Sequence, residues 1–270
     1  MLLGIILGGW VAYGLISLAM VVSTYEVYKA IRATGIEPVR WAGYVFCGLT
    51  IIAAGMGFFV PDAMHISTIA LLLSVMAAMT RLVSHGKIAI ESLMATVFPM
   101  LYPGLFFVVL LEMLHLKNDA VVTLALAVAF LAASINDVFA LFAGLLFGKH
   151  KLSPVLSPKK TIEGSIGGLI ASTIFCMVLP GLLKLIFSFD PDFALQLSII
   201  PPIWSFGILG LVAGIFSQIG DLSASMLKRH CSVKDFGSIL PGHGGIMDRM
   251  DGILFCGAAC YVFFRITGLG

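Results

Sequence analysis

Long uncharged apolar runs alternate with short polar segments from one end of the chain to the other. Within each run the apolar residues are continuous rather than alternating, which predicts spanning helices rather than barrel strands. At roughly 20 residues per crossing the pattern predicts about eight spans, near 2–22, 41–60, 64–80, 91–115, 120–148, 164–188, 198–220 and 252–268. The run 91–115 carries Pro99 and Pro103, which predict a kink or a split. The run 120–148 is long for one untilted crossing and is interrupted by the polar residues Ser134 to Asp137. The expected fold is therefore all-α, a polytopic membrane protein of about eight to nine transmembrane helices. The first run is too long for a signal-peptide core and lacks a basic segment before it, so it reads as a retained span.

Composition agrees. The chain is 60% hydrophobic and 11% charged, with a mean hydropathy of +1.07, far from a soluble globular domain. Of the five cysteines, Cys47, Cys176, Cys256 and Cys260 lie in apolar runs, where a thiol acts as a small hydrophobe. Neither a disulfide framework nor a CxxC pair is visible. The net charge of +2 says little about partners, and no nucleic-acid partner is expected.

Charge is distributed by side. Thirteen of the 16 Lys and Arg residues fall in alternate loops: Lys29 to Arg40, Arg81 to Lys87, Lys149 to Lys160 and Lys228 to Arg249. The positive-inside rule makes that side cytoplasmic. The expected location is a multi-pass protein of the cell inner membrane.

The last of these loops does more than set sidedness. From Gly220 to Gly252 it carries Asp221, Asp235, Asp248 and Asp251 together with Lys228, Arg229, Lys234 and Arg249. Asp221 ends one apolar run and Asp251 begins the next, and ionisable groups at that depth are expensive and usually functional. Asp248 and Asp251 share a helix face at i, i+3 spacing. With Asp221 they offer an all-oxygen site of the kind Mg²⁺ prefers, completed by substrate phosphates. Gly242, Gly244 and Gly245 surround His243 at a predicted helix start, where backbone amides can approach a phosphate. Taken singly, PGHGG reads as a tight turn and DRMD as an interfacial ion-pair run. Their concentration in one loop favours polyphosphate chemistry.

Two further stretches carry charge. Lys149, Lys151, Lys159 and Lys160 form a basic loop ending at Thr161-Ile162-Glu163-Gly164, a predicted helix start. It suits either an anionic lipid headgroup or the positive-inside rule alone. Asp137, beside Asn136, falls about 16 Å from the cytoplasmic end of its run if the helix is continuous. An aspartate at that depth needs a polar cavity, a partner or a metal, unless a break in the helix moves it to the interface.

The pattern formed by Ser225, Lys228-Arg229, Lys234-Asp235, Pro241 through Gly245, Asp248-Arg249 and Asp251 resembles the signature of the phosphatidate cytidylyltransferases, the CDP-diacylglycerol synthases. The SPKKT-x-EG element at 157–164 resembles that family too, as do Asp137, Ala140, Gly144 and Gly148-Lys149. Ile162 stands where the family commonly has Trp, and Leu141 where it has an aromatic residue. The resemblance runs from about residue 130 onward. It divides the chain into N-terminal transmembrane helices, 1–115, and a catalytic transmembrane region, 116–270.

The resemblance implies transfer of a cytidylyl group from CTP to phosphatidate, giving CDP-diacylglycerol and pyrophosphate with Mg²⁺, in a polar, metal-containing cavity open to the cytoplasm. It implies a catalytic set of Asp221, Asp248, Lys228, Arg229, Lys234, Asp235, His243 and Arg249. Asp221, Asp248 and Asp251 would be metal ligands. Lys159, Lys160, Ser225, Gly244, Gly245 and Asp137 would bind substrate. A different class of function, a secondary transporter with Asp137 as its intramembrane ion site, explains that residue but not the motif at 225–251. The spaced motif of CDP-alcohol phosphotransferases is absent. Small residues in LFAGLLFG and GGLIAS allow close helix packing within one chain or between two, so a homodimer is the candidate assembly.

Overall fold

The computed structural model describes residues 9–60, 63, 65–84, 90–238 and 244–269. The helices are α1 (Gly9–Arg32), α2 (Arg40–Gly57), α3 (His65–Ser84), α4 (Ile90–Pro99), α5 (Phe106–Glu112), α6 (Asp119–Ala127), α7 (Ala133–Phe147), α8 (Ile162–Ile186), α9 (Pro191–Gln196), α10 (Ile203–His230) and α11 (Met247–Ile266). A hairpin of β1 (Lys151–Ser153) and β2 (Ser157–Thr161) joins α7 to α8. Among the described residues six stretches are long and apolar enough to cross a membrane: α1, α3, Ile90–His115, Asp119–Phe147, α8 and α10. The chain is a predominantly helical, multi-pass membrane protein.

Contacts divide the chain into two compact units, one of residues 12–112 with 227–250, the other of residues 1–11, 113–226 and 251–270. In the first unit the tyrosines of α1 fasten it to its neighbours. Tyr28 donates from its buried hydroxyl to the carbonyl of Thr96 at 2.7 Å, and Tyr13 to that of Ile51 at 2.9 Å. Helix α1 continues to Arg32, well past residue 22 where the apolar run thins. Lys29 and Arg32 then lie in its last turn, where cations suit the helix dipole. The two prolines kink the next stretch as expected: Met100–Leu105 forms a wide turn, with Tyr102 in extended backbone at φ −133° and ψ 110°.

In the second unit, Asn118 caps α6 by accepting from the Val121 amide at 2.9 Å, and Thr161 caps α8 by accepting from Gly164 at 3.1 Å. The polar tetrad Ser134 to Asp137 does not break the helix. A π turn at Val128–Ala132 precedes it, and α7 runs unbroken from Ala133 to Phe147. Wider π spacing loosens the carbonyl ladder, and the Ser134 hydroxyl meets the Phe130 carbonyl at 2.8 Å. Asp137 therefore sits inside a membrane helix and not in an interfacial loop.

Helices α7 and α8 pack closely along small residues. A methyl group on Gly164 would lie 2.5 Å from the Ala140 carbonyl, and one on Gly168 would lie 2.6 Å from both oxygens of Asn136. The small residues of LFAGLLFG and GGLIAS thus serve this seam within the chain. The basic segment expected as a loop is a short antiparallel hairpin, with Lys151 paired to Thr161 and Ser153 to Ser157. Glu163, in the first turn of α8, accepts from the amides of Lys149 at 3.1 Å and His150 at 3.2 Å and anchors the start of the hairpin. All five cysteines are buried and free, the four in apolar runs as expected and Cys231 despite its polar sequence setting.

Candidate active site

Helices α7, α8 and α10 and the hairpin enclose a cavity of about 600 Å³. Its polar lining comes from Asn136, Asp137, Lys159, Lys160, Gln218 and Asp221, and Leu141, Leu145 and Leu152 line it as well. The spacing explains the convergence: Gln218 and Asp221 share one face of α10 at i, i+3, and Asp137, Ala140 and Gly144 share one face of α7. Gly144 and Gly148 leave room for Thr161, so the end of β2 lies against α7 beside the cavity. There Lys160 Nζ donates to Asp221 Oδ2 in a half-buried ion pair. Asp137 lines the same cavity as this pair.

Below this pair runs an amide network. Gln218 Nε2 donates to the Ser165 carbonyl at 3.0 Å and to Asn136 Oδ1 at 3.1 Å. The Ser165 hydroxyl donates to Gln218 Oε1. A backbone carbonyl can only accept, so it fixes which end of the Gln218 amide faces it. That choice fixes Asn136 in turn: its Oδ1 accepts from Gln218, and its buried NH₂ group is the end turned away from Gln218.

The unit of 12–112 and 227–250 holds a second acidic centre. Asp248, in the first turn of α11, accepts from Lys228 Nζ at 2.8 Å, from the Phe236 amide at 2.8 Å and from the Gly245 amide at 3.0 Å. Lys228 Nζ also lies 5.4 Å from the centre of the Phe236 ring. Gly244 takes a left-handed conformation at φ +81°, which favours glycine. Beside this turn the carboxylate of Glu26 accepts from the amides of Ile246 at 3.2 Å and Met247 at 2.8 Å. The space next to Gly237 and Gly245 is filled by that same carboxylate.

The Cytidylyltransferase family matches residues 1–267. The chain belongs to that family. It is 32% identical over 298 residues to phosphatidate cytidylyltransferase 5, chloroplastic, of Arabidopsis thaliana, a match covering 98% of this chain and 69% of the relative. It is 48% identical over 127 residues to a phosphatidate cytidylyltransferase of Staphylococcus haemolyticus and 46% identical over 127 residues to one of Staphylococcus aureus. Each of these two matches spans 47% of this chain and 44% of the relative. The family resemblance drawn from the motif stands, and nothing among these relatives supports a transporter.

As a cytidylyltransferase-family chain it gathers the expected residues unevenly. Asp137, Asp221, Lys159 and Lys160 share the cavity. In the other unit Asp248 contacts both Lys228 and Gly245. Ser225 is half-buried on α10, one turn past Asp221, while Arg229, Lys234, Asp235 and Arg249 are exposed. Asp251 is buried, its Oδ1 accepting from the Gly252 amide at 2.7 Å, and Gly220 packs on its carbonyl. His243 lies outside the described residues.

Among the described residues no three His, Cys, Asp or Glu side chains gather around one point. The cavity itself brings together two carboxylates, Asp137 and Asp221, with amide side chains beside them. That oxygen-rich set fits Mg²⁺, which uses one or two carboxylates and leaves its other positions to water and substrate phosphates.

Glu26, Gln218 and Ser165 were not anticipated from the sequence. Glu26 had a signal, since an acid within a hydrophobic helix is costly unless it has work. Ending the first span at residue 22 moved it into a loop. Gln218 precedes Asp221 by three residues in an apolar run, the same spacing that singled out Asp248 and Asp251.

Proposed function

We propose that this chain transfers the cytidylyl group of CTP to phosphatidate, forming CDP-diacylglycerol and pyrophosphate. The observation that carries the reading is the cavity, where Lys159, Lys160 and Asp221 share one space with the leucines of α7. An amphipathic phosphate ester needs such a lining: cations for its headgroup and apolar walls that continue into the bilayer. Leu141 and Leu145 are exposed on the outer face of α7, as a lipid-facing wall should be.

The difficulty of the reaction is charge. Two polyanions must touch, and their repulsion grows as the site excludes water. A phosphatidate oxygen attacks the α-phosphorus of CTP as the bond to the pyrophosphate oxygen breaks. That lipid oxygen is already ionised near neutral pH, so no strong general base is required. The protein's task is to position and neutralise. Lys159 and Lys160 would hold the lipid phosphate, and Lys228, Arg229, Lys234 and Arg249 the nucleotide phosphates, with His243, Ser225, Gly244 and Gly245 beside them.

Mg²⁺, when bound, would supply further neutralisation of the triphosphate. Asp221 is its foremost ligand in this reading, with Asp137 in the same cavity, and the sequence motif adds Asp248 and Asp251.

If α2 and α11, of 18 and 20 residues, also cross, the count is eight helices. The positive-inside rule then assigns the hairpin and the segment after α10 to the cytoplasmic face of the inner membrane, where CTP is available. A homodimer must use faces other than the α7–α8 seam.

The test is to incubate the purified protein in mixed micelles with phosphatidate, Mg²⁺ and CTP labelled at the α-phosphate. Label should move into the lipid phase as pyrophosphate appears. Label that remains wholly aqueous would overturn the reading.

A further inference from the structure

Glu26 is 1% exposed and lies inside an apolar helix. A carboxylate there is tolerated only where donors are arranged around it. Its donors come from the segment 220 residues away in sequence: the amides of Ile246 and Met247, at the start of α11. Two glycines make room for it. A methyl group on Gly245 would lie 2.5 Å from each carboxylate oxygen, and one on Gly237 would collide with Oε1. Gly237 and Gly245 therefore both pack against the Glu26 carboxylate.

The same segment donates to Asp248, through the amides of Phe236 and Gly245. Glu26 and Asp248 thus accept from three successive amides, Gly245 to Asp248 and Ile246 and Met247 to Glu26. Gly245 gives its N–H to Asp248 and its Cα face to Glu26. If Glu26 let go, the turn would lose two hydrogen bonds and the wedge that holds Gly245, and the orientation of Asp248 would relax with it.

We propose that Glu26 is a positioning residue for Asp248, clamping the turn that presents this carboxylate to the reacting phosphates. The catalytic consequence rests on the function proposed above, but the clamp itself does not. Carboxylate rather than shape carries it: Gln fills the same space, yet offers one acceptor and turns an NH₂ group toward the second amide.

The test uses the full chain in nanodiscs, with hydrogen exchange and turnover measured for the wild type, Glu26→Gln, Gly245→Ala and the pair Glu26→Asp with Gly245→Ala. In Glu26→Gln, exchange should rise about tenfold in peptides from 236–250 and stay unchanged elsewhere. The kcat should fall at least about tenfold, with KM for CTP and phosphatidate within about twofold of wild type. Gly245→Ala should behave likewise, and shortening Glu26 to Asp should return part of the lost kcat. Wild-type exchange in Glu26→Gln would overturn the proposal, and so would a rise across the whole chain, which would make Glu26 a general structural residue. A wild type that transfers no cytidylyl group would refute the enzyme reading instead, and the exchange data would still decide the clamp.

Discussion

Lys160 on β2 and Asp221 on α10 are 61 residues apart in sequence and form an ion pair in the cavity. Each retains about a quarter of its side-chain exposure, 28% and 26%. Lys228 and Asp248 repeat the arrangement in the other unit, with exposures of 15% and 8%. Each of the two carboxylates assigned first to the metal therefore already has a lysine partner. Such a lysine can keep its carboxylate satisfied and still offer its remaining N–H groups to a phosphate.

Replacing Lys160 with Met keeps much of the stem and removes the charge. Turnover of phosphatidate should fall about 100-fold or more under the proposed role, in which the lysine would neutralise charge at the reacting phosphates. The pair keeps about a quarter of its side-chain surface in solvent, which screens it, so the thermal midpoint in detergent should fall less than in Asp248→Asn. Steady-state assays and fluorescence-detected thermal unfolding check both halves.

Asp248→Asn should differ in its second effect. It too should abolish turnover, but Asp248 is largely buried and serves Lys228 and two amides at once. Removing its charge strands the Lys228 ammonium, and breaking a buried pair costs about 3–5 kcal/mol. The expected outcome is an inactive protein with a clearly lowered unfolding midpoint. Lys228→Met with Asp248→Asn should recover midpoint without recovering activity.

Gln218→Leu removes the hub of the amide network. Asn136 would then be left with a buried acceptor unmatched and Ser165 with part-buried ones, at a cost of about 1–3 kcal/mol. Asn136 would be free to turn its amide, so turnover should fall further than the stability loss explains. Gln218→Glu, which keeps the acceptor for Ser165 but loses the donor, should show the activity loss most clearly.

The run pattern conveyed the helices well, because a spanning helix must be continuous and apolar whatever its neighbours do. The kink near Pro99 and Pro103 and the start of α8 at Thr161 were equally legible, since proline and cap residues act locally. Asp137 was less so. A π turn one step upstream absorbs the disturbance that a break at Ser134 to Asp137 would have caused, and its stabilising contact comes from a serine hydroxyl. The hairpin escaped notice because Ser-Pro-Lys-Lys has little strand character; Glu163 and the seam glycines hold it in place. Glu26 was hidden for a related reason. Its partners lie 220 and 221 residues away, and no local pattern connects them.

In the proposed reaction cytidylyl transfer depends on the Asp221 carboxylate in this cavity. Turnover of CTP and phosphatidate by Asp221→Asn protein, reconstituted in liposomes and compared with wild type at saturating Mg²⁺, tests it most directly. A loss of about 100-fold or more, in protein that still unfolds cooperatively, is the predicted result. A rate within a few-fold of wild type would contradict the account.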